Sequence, residues 1–307
     1  MTDNTISGTA APEAARARPT GRPMTRSKAR LALHPLAAFR RQNLLVQAGS
    51  ALLLILLACA LLGPLLLPFG PNDLVGMSMR PPSAAHPFGT DLLGRDVMTR
   101  TLYASRSSMI VAAAATAFAL VVGTSWGMAA GYARGKADLL LMRLLDVLQA
   151  FPPLLLAIAL VAVLGNSLGN LIMTMGVLFV PPFARVARGA TLSLRERQFV
   201  KAAQVLGVPA WRNLLVHVLP NISTPLIIET ASTITAALLT ESALSFLGMG
   251  IQPPTPTWGA MIADSTSVMT HAPWLVLAPG AAIVLIVLGF LLLGDGLRDK
   301  FDPKAEK

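Results

Sequence analysis

Charge is what this sequence most lacks. Only 13% of its 307 residues are Asp, Glu, Lys or Arg, against about 25% in soluble domains, while 54% are hydrophobic. A chain of that balance cannot clothe a water-facing surface, which excludes a soluble globular protein. Cysteine is nearly absent as well. Cys59 stands alone, so no intrachain disulfide can form, and a thiol within an apolar run is most simply a small core residue. The chain contains no G-x-x-x-x-G-K-[ST] sequence and no Gly-rich loop between a strand and a helix, which removes an ATP site. Its four histidines are scattered. No Ser/His/Asp set falls on a recognisable catalytic scaffold, so the chain itself is expected to be non-enzymatic.

What it has instead is long apolar runs. Six of them, near 44–67, 107–132, 141–164, 168–187, 222–247 and 274–294, reach the roughly 20 residues that carry a helix across the hydrocarbon. The expected fold class is an all-α membrane protein with six transmembrane helices. Lys and Arg divide unevenly between the connecting segments: with the N-terminus inside, 21 of 25 fall on inner segments, and only Arg80, Arg95, Arg100 and Arg106 lie outside. Short basic loops are retained in the cytoplasm, so both termini are expected there. The net charge of +10 then follows from topology and attraction to anionic lipid, with no need for nucleic acid.

Residues 1–43 are rich in Ala, Arg, Pro, Thr and Ser and read as a disordered basic cytoplasmic tail. The tetrad Leu56-Leu57-Ala58-Cys59 loosely resembles a lipoprotein cleavage box, but the run is too long for a signal h-region and continues past Cys59. The expected division is the tail 1–43, a first span with its outer loop at 44–106, a five-helix core at 107–296 that includes a polar loop at 189–221, and a cytoplasmic tail at 297–307.

The polar loop carries the sharpest local pattern, FVKAAQVLGVPAWRNLLVHVLPN over 199–221. Phe199, Ala202, Ala203 and Leu206 fall at i, i+3, i+4 and i+7, one apolar helical stripe, with Gln198, Lys201 and Gln204 turned away. Gly207 suits a left-handed helix end, and Pro209 suits the first turn of a second helix. Trp211, Leu214, Leu215 and Val218 repeat the stripe there, with Arg212, Asn213 and His217 opposite. Two such faces can bury against the protein itself, on the lipid surface, or in the groove of a soluble subunit.

Two other features invite a chemical reading. His86, Asp91 and Asp96 lie in the outer loop, but no second His stands at helical i, i+4 spacing, so salt bridges and caps at Asp91, Arg95 and Asp96 are the expected roles, with no metal bound. In the fifth span, Glu229 and Glu241 are 12 residues apart, about 18 Å along a helix and roughly 120° around it. They do not share a face, which argues against a proton wire using both. The hydroxyls around them, including Thr233 and Ser245, exceed what lipid contact favours and place this span at the bundle interior beside a translocation path; bonding back to their own helix is the alternative. Pro152-Pro153 and Pro181-Pro182 are expected to kink the third and fourth spans. The Pro-rich stretch at 252–258 is expected to form an exposed stiff turn before a short helix.

Several phrases then combine. Ala202, Ala203, Gly207 and Leu219-Pro220 before a span resemble the "EAA" loop of ABC importer permeases. HPFGTD from His86 followed by LGRDV, Ala130-Gly131-Tyr132, Leu141-Met142-Arg143 with Asp146 and Phe151-Pro152, ESALSFLG from Glu241, QPPTPTWG from Gln252, and GDGLRD from Gly294 resemble the permeases of dipeptide, oligopeptide and nickel ABC importers, in family order from His86 to Lys304. The chain is similar to their second, C-type subunit. The resemblance implies a type I permease fold with a cytoplasmic coupling-helix pair. It implies docking of ATPase subunits on Phe199, Lys201, Ala202, Ala203, Leu206, Gly207, Trp211, Leu215, Leu219 and Pro220. It further implies a second homologous permease subunit, two cytoplasmic ATPases that hold ATP and Mg, an external substrate-binding protein, no cofactor on this chain, and residence in the bacterial inner membrane. Glu229, Thr233, Glu241 and Ser245 become candidates for the path of a short peptide or related solute. The chain departs from the family at Lys201, where the motif has glutamate. The alternative is a secondary transporter driven by protons through Glu229 or Glu241, although no internal repeat supports it; a membrane scaffold without transport is a third.

Overall fold

The computed structural model describes residues 44–301, so the 1–43 tail and the end of the 297–307 tail lie outside the described residues. Helix α1 is Leu44–Leu66, α2 Val97–Ala133, α3 Gly135–Gln149, α4 Pro153–Leu164, α5 Leu168–Leu194, α6 Gln198–Val205, α7 Ala210–Asn213, α8 Leu219–Phe246, α9 Trp258–Ser265 and α10 Trp274–Phe301. The described residues contain no strand, only isolated bridges pairing Leu74 with Arg95 and Thr90 with Asp96. Five helical stretches are long and apolar enough to cross a membrane, and the bent pair α3 and α4 makes a sixth if it counts as one span.

The third span departs from expectation. In place of one kinked helix over 141–164, α3 and α4 meet at 87°. Pro152 and Pro153 together remove two backbone donors, and Pro152 sits at ψ 126°, outside the helical region, the conformation favoured before a proline. Pro181 and Pro182, by contrast, stay inside a continuous α5. The second span begins at Val97 rather than 107, because Asp96 caps it: its carboxylate accepts from the Thr99 backbone N–H at 2.8 Å and the Thr99 hydroxyl at 2.7 Å. At 37 residues, α2 is about 55 Å long, more than the roughly 30 Å of hydrocarbon.

Helices α2 and α5 share the most extensive contact in the bundle, and glycine makes it possible. A Cβ on Gly123 would lie 2.6 Å from the carbonyl oxygen of Val180, and one on Gly131 would lie 2.9 Å from that of Arg188. Gly127, between them, faces the Ala184 carbonyl in the same way. Without a strong hydrophobic force between helices in lipid, this backbone proximity and the dispersion contacts it permits hold such pairs together. On the other side of α5, Arg188 donates to both oxygens of Asp138 at 2.6 and 2.7 Å, and Arg185 donates to Asp146 at 3.0 Å, clipping α3 to α5.

At the opposite end of the bundle, the segment between α1 and α2 folds on its own polar groups. The Asp91 carboxylate accepts from the Leu93 and Arg95 backbone N–H groups at 2.8 and 2.9 Å and from Arg95 Nε at 2.7 Å, while His86 Nδ1 donates to Asp96 at 2.9 Å. These are the local salt bridges and caps expected of Asp91, Arg95 and Asp96. Among the described residues, no group of three His, Cys, Asp or Glu side chains is placed to hold a metal. The Pro-rich stretch leads into the short helix α9, capped by Thr257, and Trp258 Nε1 pins it by donating to the Thr101 carbonyl of α2 at 3.1 Å.

Candidate functional site at the loop joining α5 to α8

The loop is built around the end of α6. Gly207 has φ +74°, its N–H bonds the Gln204 carbonyl at 3.0 Å, and the Val208 N–H reaches back to Ala203 at 3.0 Å. That pair of bonds closes a helix through a left-handed glycine, the role expected of Gly207. Pro209 comes one position earlier than expected, at the N-cap of α7 rather than in its first turn.

The second loop helix is not a separate unit. From Ala210 the chain passes through a π-helical turn at Leu214–Val218 directly into α8. The expected break before 222 is absent because nothing in 210–219 stops a helix. The wide turn closes with the Leu219 N–H on the Leu214 carbonyl, immediately before Pro220, whose ring and missing N–H a regular α-turn would not accommodate. Helix α7 therefore runs into a membrane span with no non-helical residue between.

The apolar stripes divide between two surfaces. Val200 and Ala203 of α6 and Val218 of the π turn are buried against the bundle. Phe199 (45% exposed), Val205 (88%), Leu206 (81%) and Trp211 (64%) point outward, with Ala202, Leu215 and Val216 also exposed. Four large apolar side chains, three of them more than half exposed, clustered on two joined helices exceed the scattered exposure normal for a surface. Asn213 was expected on the outer polar face; it is instead fully buried, where it donates from Nδ2 to Tyr132 Oη at 3.3 Å and to the Val200 carbonyl at 3.4 Å. Lys201, one turn before the exposed Val205, pairs with Glu196 at 2.9 Å. Leu215, Leu219 and Pro220 also line a groove of about 470 Å³ with Leu120, Met128 and Leu226.

The polar residues of α8 form two pairs, each one turn apart. The Thr233 hydroxyl donates to half-buried Glu229 at 3.4 Å, and the Ser245 hydroxyl donates to Glu241 at 2.7 Å. Glu241 is completely enclosed within the subunit, flanked by Ser108 and Ser242. The hydroxyls of Thr230, Thr235 and Thr240 bond back to carbonyls four residues earlier, so part of this span's hydroxyl content serves its own helix.

Comparison with known proteins bears on this geometry. A family model described as binding-protein-dependent transport system inner membrane component matches residues 123–307, from the middle of α2 through the loop to the last span. The chain belongs to this family. Among its relatives, the dipeptide transport system permease protein DppC of Alkalihalophilus pseudofirmus is 46% identical over 225 residues, 73% of this chain and 74% of that protein. The glutathione transport system permease protein GsiD of Pectobacterium atrosepticum is 40% identical over 270 residues, 87% and 89% of the two chains. The di/tripeptide transport system permease protein DppC of Pseudomonas aeruginosa is 38% identical over 265 residues, 84% and 88% of the two chains. This permease is thus a multi-pass subunit of a bacterial ABC importer, with the type I permease fold and no catalytic role of its own; ATPase and substrate-binding subunits are its partners. Membership in a binding-protein-dependent family leaves the proton-driven alternative without support.

Sequence reasoning missed the residues that hold the loop to the bundle: Tyr132, Arg134, Glu196 and Asn213. One signal was available. Glu196 is the sole acid between Asp146 and Glu229, and an isolated acid in a basic loop needs a partner.

Proposed function

We propose that this permease pairs with a second, homologous permease subunit to form the pore, and that two cytoplasmic ABC ATPases carrying ATP and Mg dock on the outward face of α6 and α7. The single observation behind this reading is the exposure of Phe199, Val205, Leu206 and Trp211 on a loop braced from behind by Val200, Ala203 and Val218. A firmly held helix pair with an open apolar face suits helix-in-groove recognition. Ala202, Leu215, Leu219, Pro220 and Gly207 complete or shape that face, and Lys201 stands beside it. ATP binding and hydrolysis on the partners switch the pore between outward and inward access. The chain itself binds no cofactor.

The basic loops favour the orientation with both termini in the cytoplasm, across the inner membrane. The dipeptide, di/tripeptide and glutathione names of the relatives favour short peptides or similar small solutes, delivered by the external binding protein. In the assembled pore, Glu229 and Thr233 border the translocation path, while Glu241 and Ser245 support α8 from within the subunit.

The test is co-purification of the tagged chain expressed with its chromosomal neighbours, native against Val205→Asp and Leu206→Asp. The expected result is recovery of a second permease with every form and of ATPase subunits only with the native one. A transport-active native protein that purifies without ATPase would overturn the docking reading.

A further inference from the structure

Two polar clasps fasten the docking loop to the adjacent end of α2. The Tyr132 hydroxyl accepts from Gln204 Nε2 at 3.0 Å and from Asn213 Nδ2 at 3.3 Å, so one oxygen joins α6 to α7. Glu196 gathers three cations, pairing with Arg134, with Lys201 at 2.9 Å and with Arg195 at 3.6 Å. Arg195 in turn donates from Nη1 to the Gly131 carbonyl at 2.6 Å. Arg134 holds φ +64°, a left-handed conformation costly for a residue with a Cβ and sustained only where its surroundings impose it. The same stretch of α2, through Gly127 and Gly131, lies against the backbone of α5, which in turn is clipped to α3 by the Asp138–Arg188 and Asp146–Arg185 pairs.

We propose that Tyr132 and Glu196 are positioning residues that bind the inner end of α2 and the two docking helices into one rigid body, so that movement delivered to α6 and α7 is passed to α2 and α5. In this chain the lysine at the motif's glutamate position serves that internal clasp: Lys201 finds its opposite charge on Glu196. The proposal rests on the docking reading above, since a body that moves as one matters only if a partner moves it.

The test uses the complete complex with its ATPases, in which Cys59, the only native cysteine, is replaced by serine. Spin labels are placed at two exposed positions, Ala133 at the end of α2 and Arg212 on α7, through Ala133→Cys and Arg212→Cys, and their separation is measured by pulsed electron resonance without nucleotide and with ATP plus vanadate. In the native background the separation is expected to stay within about 2 Å, the scale of helix shifts inside packed structures. With Tyr132→Phe and Glu196→Gln combined, ATPase subunits are still expected to co-purify, but the separation shifts or broadens beyond that limit when ATP and vanadate are added. A native separation that itself changes by more overturns the proposal, as does a double variant indistinguishable from native. If the double variant fails to assemble, Gln204→Ala, which trims an exposed side chain, must produce the same nucleotide-dependent broadening; its absence overturns the proposal. Loss of ATPase from the native complex is the separate result that defeats the docking reading.

Discussion

Leu206 and Val205 permit a quantitative test of the docking face, because they are exposed in the subunit and their truncation is read almost wholly in the complex. Leu206→Ala removes three carbon atoms from a residue that is 81% exposed; at about 0.8 kcal/mol per buried CH₂, complete burial by a partner makes the loss about 2 kcal/mol. That corresponds to roughly 30-fold weaker ATPase binding. Val205→Ala removes two carbons from a residue 88% exposed, about 1.4 kcal/mol and so about tenfold. The matched control is Val163→Ala on α4, where the valine is 84% exposed but far from the loop in sequence and on another helix. It should leave ATPase affinity unchanged. The assay is equilibrium binding of the purified ATPase subunit to the detergent-solubilised permease pair, with thermal unfolding of that pair measured alongside. Exposed substitutions of this kind are expected to move stability by no more than about 0.5 kcal/mol. Affinity of Leu206→Ala within twofold of native, or equal weakening by Val163→Ala, would refute the reasoning.

Gly207→Ala forces a Cβ into φ +74° and should destabilise the loop by roughly 1 kcal/mol, seen as a lower unfolding temperature, with Gly207→Asn costing less. Gly127→Ala drives a methyl into the Ala184 carbonyl of α5 and should unfold or unseat the α2–α5 pair, whereas Gly189→Ala on the same α5, with nothing within 4 Å of the added carbon, should be neutral or stabilise by up to about 1 kcal/mol; melting curves of the two variants decide between close packing and mere helix propensity. Glu241→Gln keeps the side chain's shape and an acceptor for the Ser245 hydroxyl, so uptake by the reconstituted importer should persist. Glu241→Ala leaves a void and unpaired hydroxyls and should cost on the order of 3 kcal/mol of stability. Loss of uptake in an intact Glu241→Gln complex would restore a proton-coupled role for this residue.

The membrane class, the apolar runs that become spans and the glycine-closed end of α6 were legible because each depends on local information: apolar length, or one residue free to take positive φ. The breaks and continuities were harder. Pro152-Pro153 and Pro181-Pro182 present the same dipeptide, yet one ends a helix at 87° and the other lies within α5. The dipeptide alone does not decide between them; the second pair follows Val180, whose carbonyl abuts Gly123 of α2. The division of the loop's apolar residues into a buried set and an open set was invisible for a related reason. Helical periodicity marks which residues share a stripe but not where the bundle lies, and the polar Asn213 reverses the expected side because the Tyr132 hydroxyl, 81 residues away, gives its amide a buried partner. The same amide also donates to the Val200 carbonyl at 3.4 Å, so Asn213 joins α7 to both α2 and α6. The Tyr132 hydroxyl, shared with Gln204, thus ties both loop helices to α2, and Tyr132→Phe is expected to loosen that tie while ATPase subunits still dock at Leu206 and Trp211.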